Sequence, residues 1–404
     1  MSARRLAVGE FVALMAMLSS LVAFSIDSML PALPRIAAEL SPDAVNRAQL
    51  VVAAFMLGLG LGTMLAGPLA DAFGRRPVIV GGIAVYMVGA AMAYLSGSLN
   101  ALLLARLIQG LAIAGPRVAS MAMVRDLYAG RRMARISSFI TTVFMLVPAI
   151  APSLGAAVIH VWGWRAVFLA FVAFSGTAGL WLTLRQGETL APEHRRPFRP
   201  ARLRDGFREV VRRRVVLVAT LAMAAEFGAL VSLLSSTQQI YAQVFHRPDS
   251  FPLWFAATAV LGAGGTIANG VLVVRLGMRR LVLRAFAAQA LACVIAAALL
   301  GAGLLPAGLR FALWFAWSAA LLVGVGMIMG NLVALALRPL GHAAGMAASV
   351  VTAASTILGV ALAAPVGLAF DGTPLPLILG TGAMCALGWG LIRLMLDEGQ
   401  LRRP

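Results

Sequence analysis

The chain has 404 residues, of which 61% are hydrophobic and 12% charged, with a mean hydropathy of +0.92. A soluble domain carries about 25% charged residues, so a water-soluble globular protein is excluded. The net charge of +18 does not mark a nucleic-acid-binding surface, because the basic residues, all arginine, sit in short segments beside long apolar runs.

In chain order the apolar runs lie near residues 8–30, 48–70, 77–97, 99–122, 136–160, 164–184, 215–240, 252–274, 281–305, 309–336, 343–369 and 374–396. Most reach the roughly 20 residues that a helix needs to cross a bilayer. They are apolar on every side rather than alternating, which excludes a transmembrane barrel. The expected fold is an all-α integral membrane protein with twelve transmembrane helices. The first run follows Arg4 and Arg5 as a secretory signal would, but eleven more runs succeed it and no small-residue cleavage site stands out. It reads as an uncleaved first helix. With the N-terminus inside, Arg75, Arg76, Arg125, Arg131, Arg132 and the arginines of residues 195–214 face the cytoplasm, and only Arg35, Arg47, Arg165, Arg247 and Arg310 face out. The arginine bias thus makes both termini cytoplasmic.

Charged groups within the runs are few, and each costs several kcal/mol unless it pairs or meets water. At about 1.5 Å per residue, Asp27 lies roughly 28 Å along the first helix, and Arg106 about 10 Å down the fourth from its outer end. Both belong to the outer half of the membrane, where they can pair. Arg117 follows Arg106 by some three turns on the same face. Glu10 lies at a similar depth, so a second, inner pair with Arg117 is an alternative to Arg117 snorkelling into the cytoplasm. In the fifth run, Pro148, Pro152 and Gly155 should bend the helix and press it onto a neighbour. In the seventh, Glu226 lies about 16 Å in, near the bilayer centre, as a proton carrier or cation-binding group. Gln238, Gln239 and Tyr241 follow; they either line a cavity or satisfy one another at a helix end. Arg117, Phe144, Gln238, Gln239 and Tyr241 are the expected cavity-lining side chains.

The turn after the second run, "AGPLADAFGRRPVIV" at 66–80, crowds an aspartate and two arginines into one glycine-punctuated turn between two apolar runs. Gly67 and Gly74 are expected to let the chain reverse, while Arg75 and Arg76 hold the turn inside. Shifted by 203 positions, Gly67, Leu69, Gly74 and Arg76 meet Gly270, Leu272, Gly277 and Arg279, but Asp71 meets Val274. Turning therefore does not require the acid. Asp71 is expected to act as a conformational latch, bonding to the start of the eleventh helix at 341–345 or to nearby arginines. The repeat divides the chain into six-helix halves, 1–184 and 215–404, joined by a basic cytoplasmic linker, 185–214, whose second part is either an amphipathic surface helix or disordered.

Cys293 and Cys385 fall inside apolar runs, as small apolar residues would. The four histidines are scattered over loops, so no metal site or serine triad can be built, and "GAGG" lacks the strand and helix of a nucleotide loop.

"GPLADAFGRR", "LLLARLIQG", "VPAIAPSLGA", "GWRAVF" and "SIDSMLPALPRIAAEL", each at its own place in the topology, resemble the major facilitator superfamily over essentially the whole chain. As a set they are similar to the drug and proton antiporters of the bicyclomycin and chloramphenicol resistance type. The resemblance implies two pseudo-symmetric halves alternating access to a central cavity, in the inner membrane of a bacterium. It implies an exporter, not an enzyme, that exchanges a small amphiphilic molecule for protons. No cofactor is implied beyond the proton gradient, and a monomer is expected. For Arg106, with Gln109 and Gly110 after it, the resemblance implies a part in proton coupling; Asp27 matches the acidic position of the first-helix signature. Ser19 stands where some members have a further carboxylate, so their proton-binding scheme does not carry over whole. Ala151 replaces the glycine expected before Pro152, which weakens the antiport inference from the fifth helix. The alternatives are proton-coupled transport of a specific metabolite, an anionic one included, and a non-transporting membrane sensor on the same fold.

Overall fold

The computed structural model describes residues 6–198 and 200–395, without the side chains of 200, 202, 203 and 341–346. Among these residues twelve helical segments are long and apolar enough to span a bilayer. The chain divides into two compact units, Met1–Pro200 and Ala201–Pro404, with the division inside the stretch read as linker.

The first unit holds α1 (Val8–Asp27), a short α2 (Leu33–Leu40), α3 (Leu50–Phe73), α4 (Arg75–Tyr94), α5 (Leu99–Leu127), α6 (Gly130–Trp162) and α7 (Ala166–Arg185). The second opens with α8 (Pro200–Arg212), so this part of the linker is helical. It continues with α9 (Arg214–Gln243), α10 (Phe251–Leu276), α11 (Met278–Gly301), α12 (Ala307–Leu337), α13 (Ala344–Leu368) and α14 (Leu375–Arg393). Helices suit this sequence because they satisfy every backbone group within the segment. Their apolar character on all sides leaves rows such as Leu253, Val260, Ile267, Val271 and Val274 of α10 exposed. Lipid can cover such rows, whereas water would not.

The same pairing is built twice. In the first unit α3 and α4 pack on α5, α1 on α6 and α7, and α4 on α7. In the second, α10 and α11 pack on α12, α9 on α13 and α14, and α11 on α14. With the 203-residue shift these are the same five pairs, so the weak sequence repeat reflects a repeated architecture. A backbone contact recurs at two matched glycines, on partners that the shift does not match: a Cβ added at Gly62 would lie 2.2 Å from Leu111 O, and one at Gly265 would lie 2.1 Å from Val323 O. Both glycines let two helix backbones touch.

One expectation about the turn is corrected. Gly74 does reverse the chain, at φ +104°, and Gly277 repeats it at φ +76°, in the left-handed range that glycine tolerates. Gly67, however, lies inside α3, which runs on through Pro68 to Phe73. The apolar helix simply outlasts the point where glycine and proline suggest a stop.

Candidate functional site

The polar residues of the first unit gather where α1 ends. Met29 N bonds to Ile26 O instead of Ser25 O, so the last turn tightens and the Ser25 carbonyl loses its helical donor. Arg106, 0% exposed, supplies the replacement: Nη2 donates to Ser25 O at 3.0 Å and Nη1 to Gln109 Oε1 at 3.1 Å. The guanidinium also lies over Phe55, 4.3 Å from the ring centroid. Ser25 Oγ and Tyr86 Oη share a hydrogen bond of 2.6 Å beside it. Asp27 is buried nearby but forms no ion pair with Arg106. The expected outer pair is thus replaced by neutral acceptors and aromatic faces, because a freed carbonyl reaches the guanidinium first. Gly155 of α6 presses on this same end of α1; a Cβ there would lie 2.1 Å from Ser28 O. Pro148 and Pro152 lie within the continuous α6, and Phe144 is half-buried on it.

The inner pair is corrected too. Glu10 accepts from Arg185 Nε and Nη2, both at 2.9 Å, and from Trp181 Nε1 at 3.1 Å. Arg185 ends α7, next to the start of α1, and so competes successfully. Arg117 is half-buried in α5 and has no ion pair among the described residues.

The turn between α3 and α4 is more than an anchor. Arg75, only 9% exposed, donates from Nη1 to Asp71 and from Nε to Asp126 Oδ2 at 3.1 Å. Arg76 Nη2 donates to Thr183 O at 2.7 Å. Glu188, from the linker, accepts the first two amides of α4: Arg75 N on Oε1 and Arg76 N on Oε2. Asp71 therefore has an arginine partner within its own unit. The side chains at 341–345, its other expected partner, lie outside the described residues. Asp126 and Glu188 were not singled out from sequence. Under the repeat, Asp71, Arg75 and Asp126 fall on Val274, Met278 and Met329; an acid missing from both places in the copy is the signal that could have exposed the network.

In the second unit Glu226 of α9 is 0% exposed. Its Oε1 accepts from Gln289 Nε2 of α11 at 3.0 Å, and its Oε2 is buried without a partner. Gln289 sits 203 positions after Tyr86, and both reach the first membrane-spanning helix of their unit, which is how the repeat could have revealed it. Cys293 and Cys385 are both free and buried in this neighbourhood; Trp317 Nε1 donates to Cys293 Sγ at 3.3 Å. Gln238 and Gln239 are buried on α9, where Gln238 Oε1 has no partner and Gln239 meets Gln243. Tyr241 lies in an aromatic cluster with Phe251 and Phe311, at centroid distances of 5.4 and 5.7 Å. No group of three histidine, cysteine or acidic side chains able to hold a metal occurs among the described residues.

The family model described as Major Facilitator Superfamily matches residues 13–364. A bicyclomycin resistance protein homolog of Haemophilus influenzae is 28% identical over 270 residues, which cover 66% of this chain and 67% of that one. A chloramphenicol resistance protein of Pseudomonas aeruginosa is 34% identical over 179 residues, 43% of this chain and 42% of that one. In fold, the chain is similar to a crystal structure of a D-xylose-proton symporter, with a TM-score of 0.77 at 14% identity over 98% of this chain and all (100%) of the other. Twelve spans, the doubled helix pairing and a family match over most of its length lead to one conclusion: the chain belongs to the major facilitator superfamily, whose members are membrane transporters rather than enzymes.

Proposed function

We propose that the protein is a proton-coupled exporter of small amphiphilic molecules, working by alternating access in the inner membrane of a bacterium with both termini in the cytoplasm. One observation carries the reading: Glu226 is fully buried in a membrane-spanning helix with one carboxyl oxygen unpartnered. An ionisable side chain at the centre of a span costs about 3 kcal/mol on insertion, a cost that transport of a proton would justify. Asp27, buried at the end of α1, is the second carboxyl of the coupling set, and Arg106 fixes the helix beside it. The likeness to drug-resistance proteins supports a toxic amphiphile as cargo and the proton gradient as sole driving force, with no cofactor. The protein acts as a monomer in this reading, and its halves are residues 1–184 and 215–404.

In inverted vesicles with an acid interior, added substrate should release protons from the lumen. Glu226→Gln or Asp27→Asn should abolish that signal at unchanged expression. Normal exchange in both variants would remove the coupling assignment. A second reading, transport of an anionic metabolite, is favoured by Arg117, a guanidinium in a span with no ion pair among the described residues. Resistance profiling of an overexpressing strain separates the two: a flat profile against toxic compounds favours the metabolite.

A further inference from the structure

The surroundings of Glu226 determine which of its two oxygens can take a proton. Gln289 Nε2 donates to Glu226 Oε1 and also to the carbonyl oxygen of Leu321 on α12, each at 3.0 Å. On the other side, Cys385 Sγ of α14 donates to Gln289 Oε1 at 3.7 Å. Both amide hydrogens are therefore in use, and the amide oxygen has a donor. Reversing the amide would set its oxygen against the Leu321 carbonyl, acceptor against acceptor, so the chemistry of the neighbours fixes the orientation. A backbone carbonyl never donates, whatever the state of Glu226. Nε2 thus faces Glu226 Oε1 in both charge states, and Oε1 stays an acceptor.

We propose that Gln289 is the positioning residue of the proton site, holding Oε1 of Glu226 as a permanent acceptor and directing the transported proton to Oε2. This rests on the reading of Glu226 as the coupling acid. Oε2 is the oxygen buried without a partner. No arginine or second acid forms an ion pair with Glu226 among the described residues; the titratable neighbours are the thiols of Cys293 and Cys385. Space for the amide comes from Gly324 of α12, where a Cβ would come within 2.2 Å of Gln289 Nε2 and 2.5 Å of its Cδ. One amide thus links the carboxyl to the Leu321 carbonyl of α12 and to Cys385 of α14.

Infrared difference spectroscopy of the full chain in lipid vesicles, between acid and alkaline buffer, tests this. The protonated Glu226 gives a carboxyl C=O band, identified by its loss in Glu226→Gln. With the proton on Oε2, the C=O oxygen is Oε1, and its stretch is lowered by the bond from Gln289. Gln289→Leu, which removes the donor, and Gly324→Ala, which presses on the Gln289 side chain from Cγ to Nε2, should both move the band to higher wavenumber. Cys385→Ala should leave it in place, since the thiol touches the amide and not the carboxyl. A band unmoved in both Gln289→Leu and Gly324→Ala overturns the positioning role. If instead Glu226→Gln removes no carboxyl band and substrate still drives proton release, it is the coupling reading that fails.

Discussion

The carboxylate of Glu188, three residues beyond the end of α7, closes the start of α4 by accepting the Arg75 amide at 3.0 Å, with the Arg76 amide on its other oxygen at 3.1 Å. A helix start exposes unpaired amides and a partial positive charge, and one carboxylate here satisfies two of those amides. The same side chain accepts from the amides of Thr189 and Leu190, so the linker is strapped to the turn. Glu188→Ala should lower the stability of the first unit by about 1 kcal/mol. The melting temperature of the purified protein in detergent measures this, and an unchanged value would show that water serves those amides equally well.

Arg75 and Asp71 should respond unequally to mutation. Arg75 is buried between two aspartates, so Arg75→Gln leaves Asp126, whose side chain is 19% exposed, without its cation. A loss of about 2 kcal/mol follows. Asp71 is 48% exposed, and Asp71→Asn should cost under about 1 kcal/mol. It should nevertheless impair transport if the acid is a latch. Thermal melts and vesicle transport on the two variants separate stability from switching; normal transport by Asp71→Asn would end the latch idea.

Gly155→Ala places a methyl group against the Ser28 carbonyl, a backbone obstacle that cannot rotate away. Overpacking of this kind costs about 1–3 kcal/mol. Because Ser28 follows Asp27 directly, the variant should also slow transport at temperatures where it remains folded. Wild-type rates there would mean that α6 carries no information to the end of α1.

Much of this molecule could be read from its residues, for a simple physical reason. A bilayer demands apolar length and internal backbone pairing, and both leave their mark on composition. The twelve spans, the doubled turn and the placing of Arg106 and Glu226 inside spans follow from that pressure. Partners were harder to foresee. The pairing of Arg106 with Asp27 respected depth but not the tightening of the last turn of α1, which frees the Ser25 carbonyl. Glu10 lay level with Arg117, yet Arg185, from a helix end far along the chain, took it. Gln289 looks like any polar residue in an apolar run until the repeat sets it beside Tyr86, and Glu188 lies in a linker whose composition shows only charge.

The bond from Arg106 to the Ser25 carbonyl also constrains biogenesis. The fourth span enters the lipid carrying an arginine whose solvation there costs about 3 kcal/mol, and its replacement acceptors include one on the first span. That span is synthesised earlier, so the acceptor is waiting when the arginine arrives. A nascent chain deleted for the first span should therefore integrate its fourth inefficiently, in a glycosylation-mapping assay, although the fourth span itself is intact. Order of synthesis becomes part of what makes this sequence foldable.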